Sequence, residues 1–300
     1  MTSGVISEIR RFCTHDGDGI RTTVALKGCP LRCRWCHNPE TLTSKPSLAF
    51  AAAKCVRCGR CVSACGSGVH EIKNGEHVIH RAACTGRGEC ERACPSSALK
   101  LYGERITAEE AVRRALTDRP FFDNSGGGVT LSGGEPLFQP EFSLEIARQV
   151  KAEGVSVMLD TSGYARPEVF DRFLPVVDKL LFDLKIIDGE RHRDFTGADN
   201  APILNNLARA VEFGSEIEIR TPVIPGVNDA ETDFAAAADF LKDIGFKGRV
   251  KLLPFNALAS AKYAALGLDY TFGGEEKQSC DKMRRYSDFY ASIGIDCVVG

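Results

Sequence analysis

The sequence has little net charge and lacks a long apolar run. It contains 38 Lys and Arg against 40 Asp and Glu, which gives a formal net charge of −2. A chain so close to neutrality carries no global electrostatic signal for nucleic acid or for an anionic membrane. No stretch of about eighteen apolar residues could span a bilayer, and no apolar signal-peptide core follows Met1. We therefore expect a cytoplasmic protein that binds neither nucleic acid nor membrane.

The cysteines are unevenly distributed, since eleven of the thirteen lie between Cys13 and Cys94. A disulfide framework is typical of oxidising compartments and of small secreted domains. This chain of 300 residues is 43% hydrophobic and 26% charged, so it can bury an ordinary core without such staples. Tight C-x2-C and C-x3-C spacings in a chain of this kind favour metal thiolates. The sequence therefore predicts a metalloprotein.

Cys29, Cys33 and Cys36 form a C-x3-C-x2-C motif directly after an apolar run that is typical of a strand. Three thiolates can hold three corners of a cubane iron–sulfur cluster and leave its fourth iron without a protein ligand. An open metal position is what distinguishes a catalytic site from a closed structural one. The alternative is a zinc knuckle completed by His37. It is disfavoured because neighbouring residues rarely reach one tetrahedral ion together.

Residues 48–100 contain an internal repeat with an offset of 29 residues. The two runs are Cys55-x2-Cys58-x2-Cys61-x3-Cys65 and Cys84-x2-Arg87-x2-Cys90-x3-Cys94. In bacterial two-cluster ferredoxins, the fourth cysteine of each such run serves the other cluster. This pattern predicts one iron–sulfur cluster at Cys55, Cys58, Cys61 and Cys94.

The second site of the repeat has three thiolates, Cys65, Cys84 and Cys90, with Arg87 at the position of the fourth. Arginine stays protonated and offers no acceptor, so it cannot replace a thiolate. Three outcomes remain open: a three-iron cluster, a four-iron cluster with an outside ligand, or an empty site.

Outside the repeat, helix and strand signals alternate, which predicts a parallel sheet with right-handed crossovers. A hairpin is expected at 4–12 and 22–28. Strands are expected at 128–131, 155–160, 179–184, 216–221, 249–253 and 295–299. Helices are expected at 107–119, 140–153, 167–174, 200–213, 231–244 and 275–292.

Polar motifs follow five of these strands, where a barrel places its functional residues. The motifs are 132–136, 160–163, 183–185, 222–229 and 254–256, and the three-cysteine loop is a sixth. Polar residues at one strand end are common, but six groups on one predicted face indicate a single site. The two-glycine loop at 15–21 is interpreted either as part of that site or as a plain turn.

These motifs resemble the radical S-adenosylmethionine (SAM) superfamily and, more narrowly, the activating enzymes of glycyl radical enzymes. The resemblance covers essentially the whole chain. It rests on Cys29-x3-Cys33-x2-Cys36, Gly133-Gly134-Glu135, Asp183-x-Lys185, the stretches 11–23, 37–40 and 125–135, and the paired ferredoxin-like runs. It implies an α/β fold in which residues 1–47 and 101–300 form a partial (β/α)6 TIM-like radical SAM barrel. The ferredoxin-like iron–sulfur insertion would be residues 48–100.

The resemblance also implies the chemistry. An anaerobic enzyme of this family cleaves SAM reductively at a [4Fe-4S] cluster, to methionine and a 5′-deoxyadenosyl radical, which takes a hydrogen atom from a glycine of a partner enzyme. The partner is then a glycyl radical enzyme, and the electron comes from a flavodoxin or ferredoxin-type reductant. One or two additional iron–sulfur clusters are expected in the insertion.

Residue roles follow from the same resemblance. Cys29, Cys33 and Cys36 would hold the catalytic cluster, with Trp35 beside the cluster or adenine, or simply in the core. Gly133, Gly134 and Glu135 would accept hydrogen bonds from the SAM ammonium. Asp160, Thr161 and Asp183 would hold a monovalent cation, since hard cations prefer oxygen ligands. Lys185, also expected to be catalytic, and Arg220 would be cationic partners of carboxylate, ribose or substrate backbone. Asp16 would contact the partner protein.

One position departs from the family pattern. Many relatives have a histidine where this chain has Asn256. Asparagine can donate and accept hydrogen bonds but cannot become a cation near neutral pH, so only a hydrogen-bonding role to SAM is expected.

Two other functions are weighed against activase function. The first is a radical SAM enzyme that acts on a small molecule or peptide, and the stretch 16–21 argues against it. The second is a non-catalytic iron–sulfur electron carrier, which leaves the α/β barrel without a role.

Overall fold

The structure is a computed structural model that describes residues 2–273 and 277–300, and one large sheet organises it. Within these residues the strands are β1 (Ser3–Cys13), β2 (Arg21–Leu26), β3 (Ser47–Phe50), β4 (His70–Lys73), β5 (Glu76–Ile79), β6 (Leu99–Tyr102), β7 (Glu104–Thr107), β8 (Gly128–Gly133), β9 (Ser156–Thr161), β10 (Lys179–Asp183), β11 (Glu216–Val223), β12 (Arg249–Pro254) and β13 (Asp296–Val299). The large sheet has nine strands in the order β13-β12-β11-β10-β9-β8-β2-β1-β7.

Seven neighbouring strands of this sheet, from β2 through β8 to β13, run parallel. Strands β1 and β7 close one end antiparallel. The predicted hairpin and the predicted α/β fold are thus confirmed. Six of the parallel strands, β2 and β8 to β12, form the expected partial barrel, and β13 extends it.

The helices lie mainly between the parallel strands. They are α1 (Arg60–Ala64), α2 (Glu89–Arg92), α3 (Ala108–Ala115), α4 (Arg119–Ser125), α5 (Pro140–Ala152), α6 (Pro167–Phe170), α7 (Gly189–Thr196), α8 (Ala201–Phe213), α9 (Glu231–Asp243), α10 (Ala259–Leu266) and α11 (Cys280–Ser292). Several helix ends follow from local chemistry. Thr107 caps α3 because its hydroxyl accepts from the Glu110 N–H, and Gly214 ends α8 in the left-handed conformation.

Five of the described helices have no counterpart among the predictions, apart from the first residue of α4: α1, α2, α4, α7 and α10. Helix α7 is polar and lacks an apolar periodicity, but Asp188 caps it and Gly197 terminates it. The predicted helix at 167–174 is shorter, ending at Phe170. Of the predicted helix 275–292, residues 275 and 276 lie outside the described residues, and the described helix begins after its cap, Ser279.

The two faces of the barrel strands differ in polarity. On β8, β9 and β11, residues such as Leu131, Leu159 and Ile219 pack into the main hydrophobic core beneath the helices. Their neighbours along the strands, such as Asp160 and Arg220, point to the opposite face, because side chains alternate along a strand. A buried parallel strand is usually apolar on both faces. The polar inner face therefore marks a site.

The repeat in residues 48–100 is visible in the structure. Turns of 3₁₀ helix at Ala52–Lys54 and Arg81–Ala83 are 29 residues apart, and each precedes a left-handed glycine and a short helix. Strand β3 pairs with β6, which brings the ends of this segment together, and β4 pairs with β5. Arg81 connects the segment to the barrel by donating to the Ala265 carbonyl at 2.9 Å.

Among the described residues, no helix has the length and apolar character needed to cross a membrane.

Candidate active site

The carboxyl ends of the parallel strands surround one cavity of about 540 Å³. Its position is that of the functional face of a barrel, and its volume lies in the range of small-molecule sites. Most of the predicted site residues therefore meet in one place. Those that line the cavity are Asp16, Cys29, Cys33, Trp35, Cys36, Gly133, Gly134, Asp160, Thr161, Asp183, Lys185, Arg220 and Asn256.

The three-cysteine loop begins where β2 ends and forms part of the cavity wall. Burial raises the pKa of the Cys29, Cys33 and Cys36 thiols, although the Lys185 ammonium lowers that of Cys33. Among the described lining residues these are the only thiols. Three convergent thiols without a fourth fit a cluster with one open iron, whose binding would displace their protons.

Gly133 and Gly134 allow the end of β8 to lie directly against the end of β2. Gly133 has a φ of +114°, and a Cβ there would come 2.4 Å from the Leu26 nitrogen. A Cβ on Gly134 would come equally close, 2.4 Å, to the Gly28 carbonyl oxygen. Only glycine fits at either position. The two glycines therefore place bare backbone beside the three-cysteine loop.

Glu135 has a different position from the one expected. Its side chain is 1% exposed and is not part of the cavity wall. One carboxylate oxygen accepts from the Thr161 hydroxyl at 2.6 Å and the Leu137 N–H at 3.1 Å. The other accepts from the Ser162 hydroxyl at 2.6 Å and the Ser162 N–H at 2.9 Å. The carboxylate thus joins the ends of β8 and β9, and the structure does not bring it to a ligand in the cavity.

Two carboxylates and two cations form a connected group on the cavity wall. The Lys185 ammonium donates to Asp183 at 2.5 Å, and the Arg220 guanidinium lies 3.9 Å from Asp160. Asp160 also accepts from the Ser132 hydroxyl at 2.5 Å. Burial raises the pKa of Asp160 to about 6; Arg220 opposes this shift and Asp183 adds to it. The pKa of Lys185 is raised, because Asp183 and the nearby thiols outweigh its burial.

Asp160→Asn is expected to stabilise the ligand-free protein at pH 8 by about 1–3 kcal/mol. The pKa of Asp160 in the folded state is raised from 3.8 to about 6. The protonated carboxyl therefore contributes its full stabilisation below pH 3.8, and this contribution is lost as the pH rises through 6. Asparagine avoids this cost, so the variant should unfold at higher temperature at pH 8 and with little difference at pH 4.

The control for this prediction is Asp171→Asn. Hydrogen bonding to Arg209 lowers the pKa of Asp171, so its neutralisation should not stabilise the protein at pH 8. If Asp160→Asn unfolded at a lower temperature than the parent at pH 8, the ionised Asp160 side chain would not destabilise the folded protein, and the prediction would be wrong.

The loop between β1 and β2 enters the barrel. From its sequence, this loop could be either part of the site or a plain turn. The Asp16 carbonyl accepts from the Thr130 hydroxyl at 2.7 Å, and the Asp16 carboxylate accepts from the Thr23 hydroxyl at 2.5 Å. Arg220 donates to the His15 carbonyl at 2.9 Å. Contacts from three strands therefore hold Asp16 at the cavity, where it forms part of the wall.

Sequence reasoning assigned no individual role at the site to several other wall residues, among them Ser132, His37 and Lys251. Ser132 directly precedes the Gly-Gly pair, so its place at a strand end was the available signal. His37 was considered only as a zinc ligand. In the structure its Nε2 lies 2.9 Å from the Asn256 carbonyl, which links the three-cysteine loop to the loop after β12.

Trp35 lines the cavity and is 5% exposed in a small apolar cluster, so its position is compatible with either of its predicted roles. Its ring packs near Phe195 and Phe272, with centroids 6.3 and 6.1 Å away. Asn256 also lines the cavity, but its side-chain oxygen accepts from the Leu258 N–H at 3.2 Å. The asparagine therefore shapes its own loop as well as the wall.

The cysteines of the repeat gather in the two sets that the ferredoxin pattern predicts. Cys55, Cys58, Cys61 and Cys94 line one small cavity. Cys65, Cys84 and Cys90 line a second one together with Arg87. Hydrogen bonds from Ser96 and the Ala98 N–H outweigh burial and lower the pKa of Cys94, which favours its thiolate form.

His77 lies between two thiols of the first set. Its ring nitrogens are each 3.6 Å from a sulfur, one of Cys55 and the other of Cys61, and it lies 3.0 Å from His70. Burial lowers the pKa of both imidazoles, so both are neutral and can donate to or ligate a metal centre. A cluster held by the four thiolates would have to displace the His77 ring from between Cys55 and Cys61.

Comparison with known proteins shows the family. The model of the radical SAM superfamily matches residues 23–238. The benzylsuccinate synthase activating enzyme of Thauera aromatica is 37% identical, over 100% of this chain and 93% of the relative. The isethionate sulfite-lyase activating enzyme of Nitratidesulfovibrio vulgaris is 40% identical, over 95% and 94% respectively. A similar solved structure is the crystal structure of a domain of pyruvate-formate lyase-activating enzyme from Bacteroides vulgatus, with a TM-score of 0.51 and 30% identity. The similarity covers 58% of this chain and 99% of that domain.

The fold and these similarities define the class of the protein, a family whose members use a [4Fe-4S] cluster and SAM. The chain belongs to the radical SAM superfamily and, within it, to the activating enzymes of glycyl radical enzymes.

Proposed function

We propose that the cavity at the strand ends is where this activating enzyme binds SAM and receives the glycine of its partner, a glycyl radical enzyme. The observation that carries this proposal is the convergence, in one cavity, of three thiols, bare glycine backbone and a carboxylate–cation group. When bound, the reduced [4Fe-4S] cluster and SAM supply the radical that removes a hydrogen atom from that glycine.

The residues of the chain bind, orient and exclude water. Cys29, Cys33 and Cys36 would hold the cluster, and the backbone at Gly133 and Gly134 would accept from the SAM ammonium. Lys185 and Arg220 place positive charge near the SAM carboxylate. The apolar group that includes Trp35 keeps water from that side of the cavity. In this division of labour the cofactor supplies the difficult chemistry and the protein supplies geometry and electrostatics.

A monovalent cation is proposed at Asp160 and Asp183. Two carboxylates on the same wall suit a hard cation. The raised pKa of Asp160 indicates that the neighbouring positive charge does not fully offset the cost of burying its carboxylate. The Thr161 hydroxyl is used by Glu135 and Gly163, so any ligand from Thr161 would be a second lone pair or its carbonyl.

Asp16 is proposed to contact the partner protein, because it reaches the cavity from the loop inside the barrel. The relatives at 37% and 40% identity are named for different enzymes.

The segment 48–100 is proposed to be a ferredoxin-like unit that passes electrons from a flavodoxin or ferredoxin-type reductant to the barrel. The first cluster would use Cys55, Cys58, Cys61 and Cys94. The second would use Cys65, Cys84 and Cys90. The grouping of the thiols into these two sets supports this proposal.

Arg87→Cys is expected to raise the iron content of anaerobically reconstituted protein by about one iron per chain, because it completes a four-thiolate set. Iron and sulfide analysis of the parent and the variant measures this. The matched control is Arg92→Cys, which adds a thiol at the end of the neighbouring helix α2, outside the set, and should add no iron. An Arg87→Cys variant without additional iron would contradict a three-iron cluster at Cys65, Cys84 and Cys90.

Anaerobic incubation of the reduced protein with SAM tests the proposed function. The expected products are methionine and 5′-deoxyadenosine in equal amounts. Absence of 5′-deoxyadenosine from protein with a complete iron content would contradict every radical SAM function and would favour the electron-carrier alternative.

A further inference from the structure

The segment 48–100 is basic, although the chain as a whole is slightly acidic. It carries eight Lys and Arg and four Glu, a net charge of +4, whereas the whole chain has −2. The basic residues are not spread evenly over the two halves of the repeat. Residues 54–62 carry three positive charges and no negative one, whereas the matching residues 83–91 carry one positive and two negative charges.

The offset of 29 residues allows a position-by-position comparison of the two halves. Lys54, Val56, Arg57, Arg60 and Val62 of the first half correspond to Ala83, Thr85, Gly86, Glu89 and Glu91 of the second. The first half thus has cations and apolar side chains where the second has small, polar or acidic ones. Since both halves have the same local fold, the fold itself does not require the basic residues.

Arg57 occupies a backbone conformation that favours glycine. Its φ is +55°, and Gly86 at the matching position has a φ of +79°. Residues other than glycine rarely adopt this backbone region. The backbone strain that it causes persists where the surrounding structure or the function requires the side chain. An arginine at a position where the repeat can use glycine indicates that its charge has a role.

The same side chains surround the exposed edge of the first cluster site. Cys58 is exposed, Val56 is 64% exposed, and Lys54, Arg57 and Arg60 are all exposed. Within the part of the chain that the structure describes, none of the three cations has a carboxylate partner within 4 Å. We call this group, Lys54, Val56, Arg57, Cys58 and Arg60, the basic face.

We propose that the basic face is the docking site of the electron donor, an acidic carrier protein with a one-electron flavin or iron–sulfur centre. The proposal rests on the proposed iron–sulfur function of Cys55, Cys58, Cys61 and Cys94. One electron leaves the carrier, which is oxidised by one electron, and enters the cluster of these four cysteines, and no bond is made or broken. Opposite charges steer such encounters and raise the association rate without requiring a large interface.

The test compares two reductants on the cluster-loaded chain. The triple variant Lys54→Glu, Arg57→Glu, Arg60→Glu is mixed anaerobically with flavodoxin hydroquinone or with dithionite, and cluster reduction is followed by stopped-flow absorbance. At low salt, the second-order rate constant for reduction of the triple variant by flavodoxin should be at least about tenfold lower than that of the parent. Added salt should slow the reduction of the parent but not that of the variant. The rate with dithionite, which needs no docking, should stay within about twofold of the parent. The control Arg92→Glu, a single charge reversal in the second half, should be reduced by flavodoxin like the parent.

Arg57→Gly provides a second variant that should not harm folding, because it copies the repeat and relieves the strain at this position. It is expected to be reduced more slowly by flavodoxin and to unfold no more easily than the parent. Reduction of the triple variant and of Arg57→Gly by flavodoxin at the parental rate would overturn the proposal. So would failure of both flavodoxin and a reduced ferredoxin to reduce the parent.

The alternative occupant of the basic face is the glycyl radical enzyme itself. If it docks there, the triple variant would form less glycyl radical even with dithionite as reductant, and this result would overturn the donor proposal. Failure of the proposed function is distinguishable, because the parent would then form no 5′-deoxyadenosine with dithionite.

Discussion

Cys33→Ala is expected to abolish SAM cleavage while it leaves the iron of the segment 48–100 in place. The reason is that Cys33 lies in the cavity with Cys29 and Cys36, and no other thiol among the described lining residues could replace it. The variant should therefore lose the iron of one cluster only, and no 5′-deoxyadenosine should form with dithionite and SAM. Iron analysis together with product quantification by liquid chromatography measures both effects.

The control for this variant is Cys280→Ala. Cys280 is exposed at the start of α11 and belongs to no cysteine motif, so its replacement should change neither iron content nor product yield. Residual turnover of the Cys33→Ala protein at the parental rate would mean that the three-cysteine loop does not hold the catalytic cluster.

Glu135→Ala is expected to reduce the free energy of unfolding by about 3–5 kcal/mol, because each buried donor left without an acceptor costs about 1–3 kcal/mol. The carboxylate accepts from Thr161, Ser162 and Leu137, and alanine would leave these buried donors without an acceptor. Because these bonds align the ends of β8 and β9, SAM affinity should fall as well. Chemical denaturation and equilibrium binding of SAM measure the two effects.

The control here is Glu141→Ala on the outer face of α5. Glu141 pairs with Arg172 at 2.7 Å on the surface, and exposed ion pairs contribute about 1 kcal/mol or less. If Glu135→Ala were no more destabilising than Glu141→Ala, the carboxylate would not hold the strand ends together, and a direct contact with SAM would again be the better explanation.

The barrel and the place of its site could be predicted from the residues. Alternation of strand and helix signals predicted a parallel sheet, and the polar groups after successive strands had to meet at one edge. The inward orientation of Arg220 could also be predicted, because Glu218 and Arg220 alternate with isoleucines along β11. These features depend on local pattern and on the general geometry of parallel sheets.

Other features of the site could not be predicted, because they depend on contacts between distant parts of the chain. Glu135 was expected to face the ligand, but its four hydrogen bonds turn it toward Thr161 and Ser162, 26 and 27 residues further along. The entry of Asp16 into the barrel depends on Thr130 and Arg220, more than a hundred residues away. The Gly-Gly pair was identified, whereas its packing against β2 was not.

The central claim is that this chain places a radical on a glycine of a partner protein. The most direct measurement is electron paramagnetic resonance after anaerobic incubation of the reduced protein with SAM and candidate glycyl radical enzymes, beginning with one encoded beside it. The account predicts a glycyl doublet that requires SAM and that the Cys33→Ala variant does not produce. Formation of 5′-deoxyadenosine without a glycyl doublet on any partner would contradict activase function and would indicate a radical SAM enzyme for a small molecule or peptide.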